Sequence, residues 1–378
     1  MTRRIVSSTM LVLLITSMLA FASRIQLAKA EGTIYIRADG SIDPVTAPIR
    51  RDRDVYDLTG DIASDADGIM IERDNMILDG ADHTVEGTYA SNSKGASLVG
   101  RNNVTIKNTH IQAFEYGVLV DSCSNSSISG NSMQSNEFWG IDLSHSNNTK
   151  IGGNSITYNL HGINLHSSLG NSVIENKIAN NHDGIGLDDS SNNSVIGNNI
   201  ATNDDIGILL GFSSDNRISE NIVANNGLGI YLYYSSNNTI YHNNFASNMQ
   251  QVDGLSSTNV WDNGYPSGGN YWSDYEGNDR FSGPYQNETG NDGIYDVPYS
   301  IRSVEKDNYP LATEFSKVVG DLNGDSKVSL ADLVLLAQAY GSKPRDSNWN
   351  ANADIEGNNI VGLSDLVILA QHYGQHSP

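Results

Sequence analysis

An all-β, parallel β-helix followed by a small two-helix module with calcium-type loops is the fold this sequence predicts. Three observations carry that expectation. A unit of 22–23 residues recurs from Gly117 to Asn248, apolar residues alternate with polar ones inside each unit, and a second, acidic repeat 33 residues apart closes the chain. Self-similarity at a fixed period marks a solenoid, and period-two alternation marks strands.

The long repeat is anchored by glycine. Gly117, Gly140, Gly162, Gly184, Gly207 and Gly229 stand 23, 22, 22, 23 and 22 residues apart, each followed by aliphatics one and three places on. Each unit closes on two asparagines five residues apart, from Asn131 and Asn136 to Asn243 and Asn248. In the unit at Gly162, Ile163 and Leu165 read as one strand, Val173 as a second and Ile178 as a third, with Asn, Ser and Gly turns between. Three short strands per coil make a parallel β-helix, which strand-crossover rules expect to be right-handed. Asn is expected at the corners because it tolerates the left-handed backbone region and its amide can bond the amides of adjacent coils. By this reading Asn198 belongs to an internal ladder, and Asn193 to a solvated turn.

Residues 1–30 read as a secretory signal peptide: Arg3 and Arg4, an apolar run from Met10 to Ala22, then Ala28-Lys29-Ala30. Residues 31–67 are expected to cap the solenoid and 68–259 to form its coils. Gly68 and Gly95 begin earlier coils, for eight in all, and the 27-residue gap between them implies a bulging loop. The pattern breaks where Gln251 takes the glycine position. Residues 260–317, rich in aromatics and aspartate, are expected to cover the last coil, because an exposed end is a bare core and a sticky edge.

The formal charge is −22, from 44 acidic and 22 basic residues, and the leader holds four of the basic ones. That balance repels nucleic acid and anionic membranes and suits Ca²⁺ or plain solubility. A single cysteine, Cys123, excludes an intramolecular disulfide. The sequons at Asn103, Asn125, Asn147, Asn192 and Asn237 are expected to share one turn of successive coils.

Residues 318–378 hold the acidic repeat. Hard cations take oxygen ligands from positions 1, 3, 5 and 12 of a loop, with the position-7 carbonyl. In the first loop these are Asp321, Asn323, Asp325, the Lys327 carbonyl and Asp332; in the second, Asp354, Glu356, Asn358, the Ile360 carbonyl and Asp365. Two Ca²⁺ sites are therefore expected. Both loops carry glycine at position 4 (Gly324, Gly357) rather than position 6, and each leads into an apolar helix.

The duplicated loop-and-helix resembles a type I dockerin. That resemblance implies a cohesin domain on a scaffold or surface protein as partner, contacted through loop positions 10 and 11, here Leu330, Ala331, Leu363 and Ser364. The β-helix, with its Gly269-Asn270-Tyr271-Trp272-Ser273-Asp274-Tyr275 segment, resembles the NosD-like, carbohydrate-binding and sugar-hydrolase β-helix proteins over residues 33–313.

Chemistry on a β-helix is sought on outward strand positions. There His161, His166, Asp183, Asp188 and Asp189, with His182, are expected to gather over two adjacent coils as catalytic candidates, since imidazoles and carboxylates serve acid–base cleavage or metal binding. Asp188-Asp189 resembles the aspartate pair of polygalacturonases, whose basic substrate-binding motif is missing. Tyr231, Tyr233, Tyr234 and Tyr241 are candidates for stacking on sugar rings. The favoured reading is a secreted polysaccharide-binding protein docked through its calcium module. The alternatives are a polysaccharide lyase or glycoside hydrolase, and a NosD-like copper-handling protein, for which thiol and thioether ligands are sparse.

Overall fold

Each unit of the repeat winds once through three parallel sheets. In the unit at Gly162 a six-residue strand, His161–His166, is followed by Ser172–Ile174 and Lys177–Ala179. Each pairs with its counterpart one coil on, as in Ile163 with Ile185, Val173 with Val195 and Ile178 with Ile200. The computed structural model describes residues 28–29, 32–302, 305–316, 318–323, 327–343, 346–356, 358 and 360–375. The leader apart from Ala28 and Lys29 lies outside them, as do Asp325 and both loop glycines, Gly324 and Gly357.

The three sheets hold 11, 11 and 10 strands among the described residues. Inward positions stack type on type: Ile141, Ile163, Ile185, Ile208 and Ile230 form one fully buried column, and Leu143, Leu165, Leu187, Leu210 and Leu232 another. Burying such a side chain stabilises by about 1.5–3 kcal/mol, and each coil contributes four of them, so the core grows in equal increments.

The glycine column has a steric cause. A Cβ on Gly184 would lie 2.3 Å from the Gly207 carbonyl oxygen and 2.7 Å from Ile200 Cγ2. Every coil leans on the one below through this bare position. That explains why the solenoid outlasts its glycine motif: Gln250–Leu255 still pairs in register with Leu228–Tyr233. Gln251 stands on the last full rung, with no further glycine strand above it to meet its Cβ. The start is extended too. Ile34–Ile36, Val55–Leu58 and Ile62–Ala63 pair in parallel with the strands of the next coil, and antiparallel Ile42–Asp43 and Ile49–Asp52 cover the end. The eight coils expected are thus continued by one rung at each end.

Four corner ladders run along the solenoid, where the sequence suggested two. Asn198 is representative: its Oδ1 accepts from Asn176 N (3.0 Å) and Nδ2 (2.9 Å), while its Nδ2 donates to Val173 O (2.9 Å) and Asn221 Oδ1 (3.0 Å). A second ladder runs through Asn136, Asn159, Asn181, Asn203, Asn226 and Asn248. The third corrects the expectation for Asn193, which is buried and accepts from Asn171 N at 2.8 Å and donates to Asn216 Oδ1 at 3.2 Å. The fourth uses serine: Ser168 N donates to Ser190 Oγ, Ser190 N to Ser213 Oγ, and Ser213 N to Ser235 Oγ.

The left-handed residue at each corner is the one before the ladder residue, not the ladder asparagine itself. Glu175, Asn180, Asp189 and Asn192 have φ of 54°, 57°, 49° and 57° and precede Asn176, Asn181, Ser190 and Asn193. The sequon residues Asn103, Asn125, Asn192 and Asn237 occupy this exposed left-handed position; at the Asn147 sequon Asn148 does, one residue on.

At the C-terminal end, Tyr271–Trp272 adds a last strand beside Asn244–Ala246. Trp272 is sandwiched between Phe245 (centroids 4.6 Å) and Tyr299 (4.4 Å). Gln251 Oε1 ends one ladder by accepting from Asn248 Nδ2 at 2.7 Å, and Asn270 Oδ1 ends another by accepting from Asn243 Nδ2 at 2.9 Å. Beneath Trp272 the fully buried Asp307 carboxylate accepts from Asn270 N (2.7 Å), Trp272 Nε1 (2.9 Å) and Tyr309 N (3.1 Å). Gly269 leaves room for it, since a Cβ there would fall 1.9 Å from Asp307 Oδ1. Burial pushes the Asp307 carboxyl up to about 7, against the pull of its N–H donors.

Asn198→Leu and Asn193→Leu should therefore destabilise to a similar extent, each stranding buried partners at about 1–3 kcal/mol apiece. Exposed Asn199→Thr serves as the control, and denaturant midpoints of the full chain read the comparison. For the cap, an acid whose folded pKa exceeds its unfolded value of 3.8 holds its proton in the native state between the two, so stability falls as pH rises from 3.8 to about 7. Thermal melts across that interval should show this slope, and Asp307→Asn, whose amide cannot accept from all three donors, should lower the midpoint and remove the Asp307 share of the slope.

Candidate functional site

Strand register fixes which outward side chains become neighbours. On the six-residue strands, the position before the glycine builds the column Tyr116, Trp139, His161, Asp183. Two places after the glycine come Leu119, Asp142, Asn164 and Gly186; four places after it, Asp121, Ser144, His166 and Asp188. The rings of the first column stack at 5.2 Å (Tyr116 on Trp139) and 5.7 Å (Trp139 on His161), close to the rung spacing of the sheet.

The histidines and aspartates expected to gather at one place form two groups instead. His161 Nδ1 is 2.9 Å from Asp183 Oδ2 and His182 Nδ1 is 3.3 Å from Asp183 Oδ1, so one carboxylate bridges two imidazoles, with a ligand atom of Asp205 within 4.8 Å of those of His182 and Asp183. The other group is His166, whose Nδ1 is 3.3 Å from Asp188 Oδ2, and Asp189, all within 4.8 Å. Asp183 and Asp188 begin and end the same strand, roughly 16 Å apart at an ordinary strand rise. The physical reason for the split is the extended backbone: the two ends of a six-residue strand lie farther apart than side chains can reach across.

Two carboxyls on this face are pushed in opposite directions. Burial raises Asp183, but hydrogen bonds from His161 and Ile206 N–H and the charges of His161 and His182 outweigh it and hold the carboxyl below its ordinary range. Burial dominates at Asp142 and holds it above the ordinary range, although Asn164 Nδ2 donates to it at 2.8 Å. On the Asp183 strand the face carries no side chain at Gly186, where a Cβ would meet only Asn164 Oδ1 at 3.4 Å. The result is a notch with Asp183 at one edge and Asp188 at the other.

Sequence reasoning passed over Tyr116, Trp139 and Asp205, and did not single out Asp142. Aligning the six units on their glycines would have found the Tyr-Trp-His-Asp column; Asp142 differs from its neighbours only in burial. Of the tyrosines, Tyr231 and Tyr233 lie on this face and Tyr234 at its edge, with Phe212 and Tyr234 stacked at 5.6 Å. Tyr241 does not join them: it sits on another sheet, under Arg217 at 5.3 Å. Cys123 is buried, and burial pushes its thiol up.

In the C-terminal module, helices Leu330–Ala339 and Leu363–His372 each begin just after an acidic loop. Asp332 and Asp365, at position 12 of the loops, are fully buried. Asp332 Oδ1 accepts from Leu322 N (2.8 Å) and Asn323 N (3.2 Å), and Asp365 Oδ1 from Glu356 N (3.1 Å). Asp354 Oδ1 accepts from Asn358 N at 3.0 Å, and Glu356 Oε1 from the Ser364 hydroxyl. Two buried carboxylates with further side-chain oxygens around them make an all-oxygen donor set that fits a hard cation. Of the expected ligands, Asp325 alone lies outside the described residues. Leu330 and Leu363, apolar yet 63% and 66% exposed, stand at the starts of the two helices beside Ala331 and Ser364, which are also exposed. Among the described residues no helix is long and apolar enough to cross a membrane.

A parallel β-helix with ordered outward columns, ending in a paired acidic-loop module, defines the class. The chain belongs to the NosD family, described as periplasmic copper-binding protein, which it matches over residues 61–277, and residues 319–372 form a dockerin type I domain. Dockerin domains as a class bind calcium. A comparison with curated protein sequences finds no match. Among solved structures the chain is similar to the periplasmic alginate epimerase AlgG (19% identity, 55% of this chain and 68% of that one, TM-score 0.43). It is also similar to the A-module of the Azotobacter vinelandii mannuronan C-5 epimerase AlgE4 (17%, 61% and 72%, 0.42) and to a tailspike protein mutant of E. coli bacteriophage HK620 (13%, 58% and 47%, 0.37).

Proposed function

We propose that this is a secreted glycan-binding protein, held to a cohesin-bearing scaffold or cell surface by its dockerin, with the sugar chain lying along the outward face of the six-residue strands. The observation that carries the reading is the register of that face. Ring, imidazole, carboxylate and amide side chains repeat on it every rung, at about 4.8 Å, over a continuous surface that an extended polymer can follow. The signal-peptide pattern of residues 1–30 and the dockerin support an extracellular or periplasmic location. The copper in the family description would meet imidazole and carboxylate donors at His161, His182 and Asp183, whereas the one thiol is buried.

A second reading, cleavage of the bound polymer, is favoured by one observation: Asp142 is held above and Asp183 below the ordinary carboxyl range. Groups driven apart in this way can divide acid and base roles, with Asp142 donating a proton and Asp183, through His161, accepting one. His166, Asp188 and Asp189 would then line the far edge.

For the module, we assign two calcium sites, one to Asp321, Asn323, Asp325, the Lys327 carbonyl and Asp332, the other to Asp354, Glu356, Asn358, the Ile360 carbonyl and Asp365. The cohesin contact is assigned to Leu330, Ala331, Leu363 and Ser364.

Gly186→Phe should fill the notch without strain, since its φ is not in the left-handed region. Affinity electrophoresis against a glycan panel should find retention of the parent chain weakened at least tenfold by this change, with the melting midpoint unmoved; a reducing-end and unsaturated-product assay on the same samples reads cleavage. Retention of no glycan by the parent chain would sink the proposal. Scanning calorimetry of the full chain should resolve a small transition for the module, whose core is only seven buried apolar side chains among the described residues. Chelator should lower that transition alone, and Asp332→Ala should do so in Ca²⁺. Leu330→Asp with Leu363→Asp should keep the transition and lose capture by a cohesin domain.

A further inference from the structure

The outward face of the six-residue strands has a charge pattern that the other two sheets lack. From the Tyr116 rung to the Gln250 rung its three columns hold Asp121, Asp142, Asp183, Asp188 and Asp253, and no lysine or arginine. The acidity of the whole chain does not account for this. Over the same rungs the other sheets carry Lys150 and Arg217 on one and Lys177 on the other. One rung before Tyr116 the same column holds Lys94, in register with Tyr116, and Arg101 follows that strand; both are turned to acids, with Lys94 Nζ 4.0 Å from Asp67 and Arg101 Nη1 3.6 Å from Asp74. No lysine or arginine on these rungs offers the forked or point cation by which proteins hold carboxylate and sulfate groups, and the face's two imidazoles are each turned to an aspartate of the next rung, His161 to Asp183 and His166 to Asp188.

We infer that the glycan accepted by this face carries no carboxylate or sulfate groups, its chain being built of neutral or amine-bearing sugars. The inference rests on the glycan-binding reading above and deepens it. A polyuronate laid along the rungs would bring one anion near each of several aspartates, and like charges repel at this range unless salt or a divalent cation screens them. Hydroxyl pairs, by contrast, can donate to these carboxylates, which are acceptors only when ionised. An ammonium substituent would gain from the same aspartates. The edges add apolar and aromatic surface on both sides of the notch: Trp139 two rungs before Gly186, Tyr231 and Tyr233 two rungs after it. Side chains of that kind meet the CH faces of uncharged sugars.

The test is affinity electrophoresis of the full chain in EDTA at low salt, against a neutral mannan and xylan, a deacetylated chitin oligomer, and polygalacturonate. Retention by the neutral or amine-bearing glycan at least tenfold stronger than by polygalacturonate is the expected result. Added salt separates the two sources, weakening retention of the amine-bearing polymer and leaving the neutral one unchanged. Asp121→Lys with Asp253→Lys, at the two ends of the face, should raise the ratio of polygalacturonate retention to neutral-glycan retention at least threefold, and an unchanged ratio would count against the inference. Polygalacturonate held as tightly as the neutral glycans in EDTA would overturn this inference and leave the glycan-binding reading standing. Retention of none of them would remove that reading, and the inference with it.

Discussion

The structure depends on one repeated contact, the corner hydrogen bond from a backbone N–H of one coil to a side-chain oxygen of the next. A solenoid turns its chain several times per coil, and each turn takes an N–H and a C=O out of the regular sheet pairing. Unsatisfied, those buried groups would cost about 1–3 kcal/mol each. Asn and Ser side chains answer them coil by coil: Asn176 N to Asn198 Oδ1 at 3.0 Å, Asn171 N to Asn193 Oδ1 at 2.8 Å, Ser190 N to Ser213 Oγ at 2.9 Å. The ladder amide also returns a donor to a strand carbonyl of the previous coil, as Asn198 Nδ2 does to Val173 O. Both halves of the exposed polar backbone are served by one residue type.

Everything on the outward face follows from that constraint. Because each corner is locked to the one above, coils cannot slip in register, and residues 22 or 23 positions apart become neighbours. The glycine column enforces the same alignment by sterics, since a side chain at Gly184 would strike the Gly207 carbonyl. His161 and Asp183 meet at 2.9 Å for no local reason; they meet because both precede the glycine of consecutive coils. The end of the stack is handled with the same chemistry. Gln251 and Asn270 finish the ladders, and Asp307 answers the leftover N–H groups beneath Trp272.

The C-terminal module relies on a different balance. Its apolar core is small, and the carboxylates of Asp332 and Asp365 sit inside it rather than in solvent. Backbone N–H groups partly offset that burial, in a geometry that doubles as the helix-start cap: Ser329 N and Gly362 N donate to the other oxygens of the same two residues at 2.7 Å. The same side chain thus begins a helix and is the one that would close the proposed cation loop, while Leu330 and Leu363 stay exposed at the helix starts.

Much of this was legible in the sequence, because the β-helix is periodic and each position is repeated often enough to reveal its role. The period, the strand alternation, the Asn columns and the duplicated acidic loop stand in the residues themselves, and the fold follows from them. Other features required the coils in place. Asn193 looks like any turn asparagine, and only the coil above, with Asn216 waiting at 3.2 Å, makes it a buried rung. His161 and His166 look like one cluster in the chain; the extended strand between them carries them to opposite edges of the face. Asp142 and Asp183 are alike as letters, and what separates their acidities is burial against imidazole contact, quantities that exist only between coils. Local sequence carries period and turn chemistry because those depend on residues close along the chain, whereas register, burial and charge environment depend on residues a full coil away.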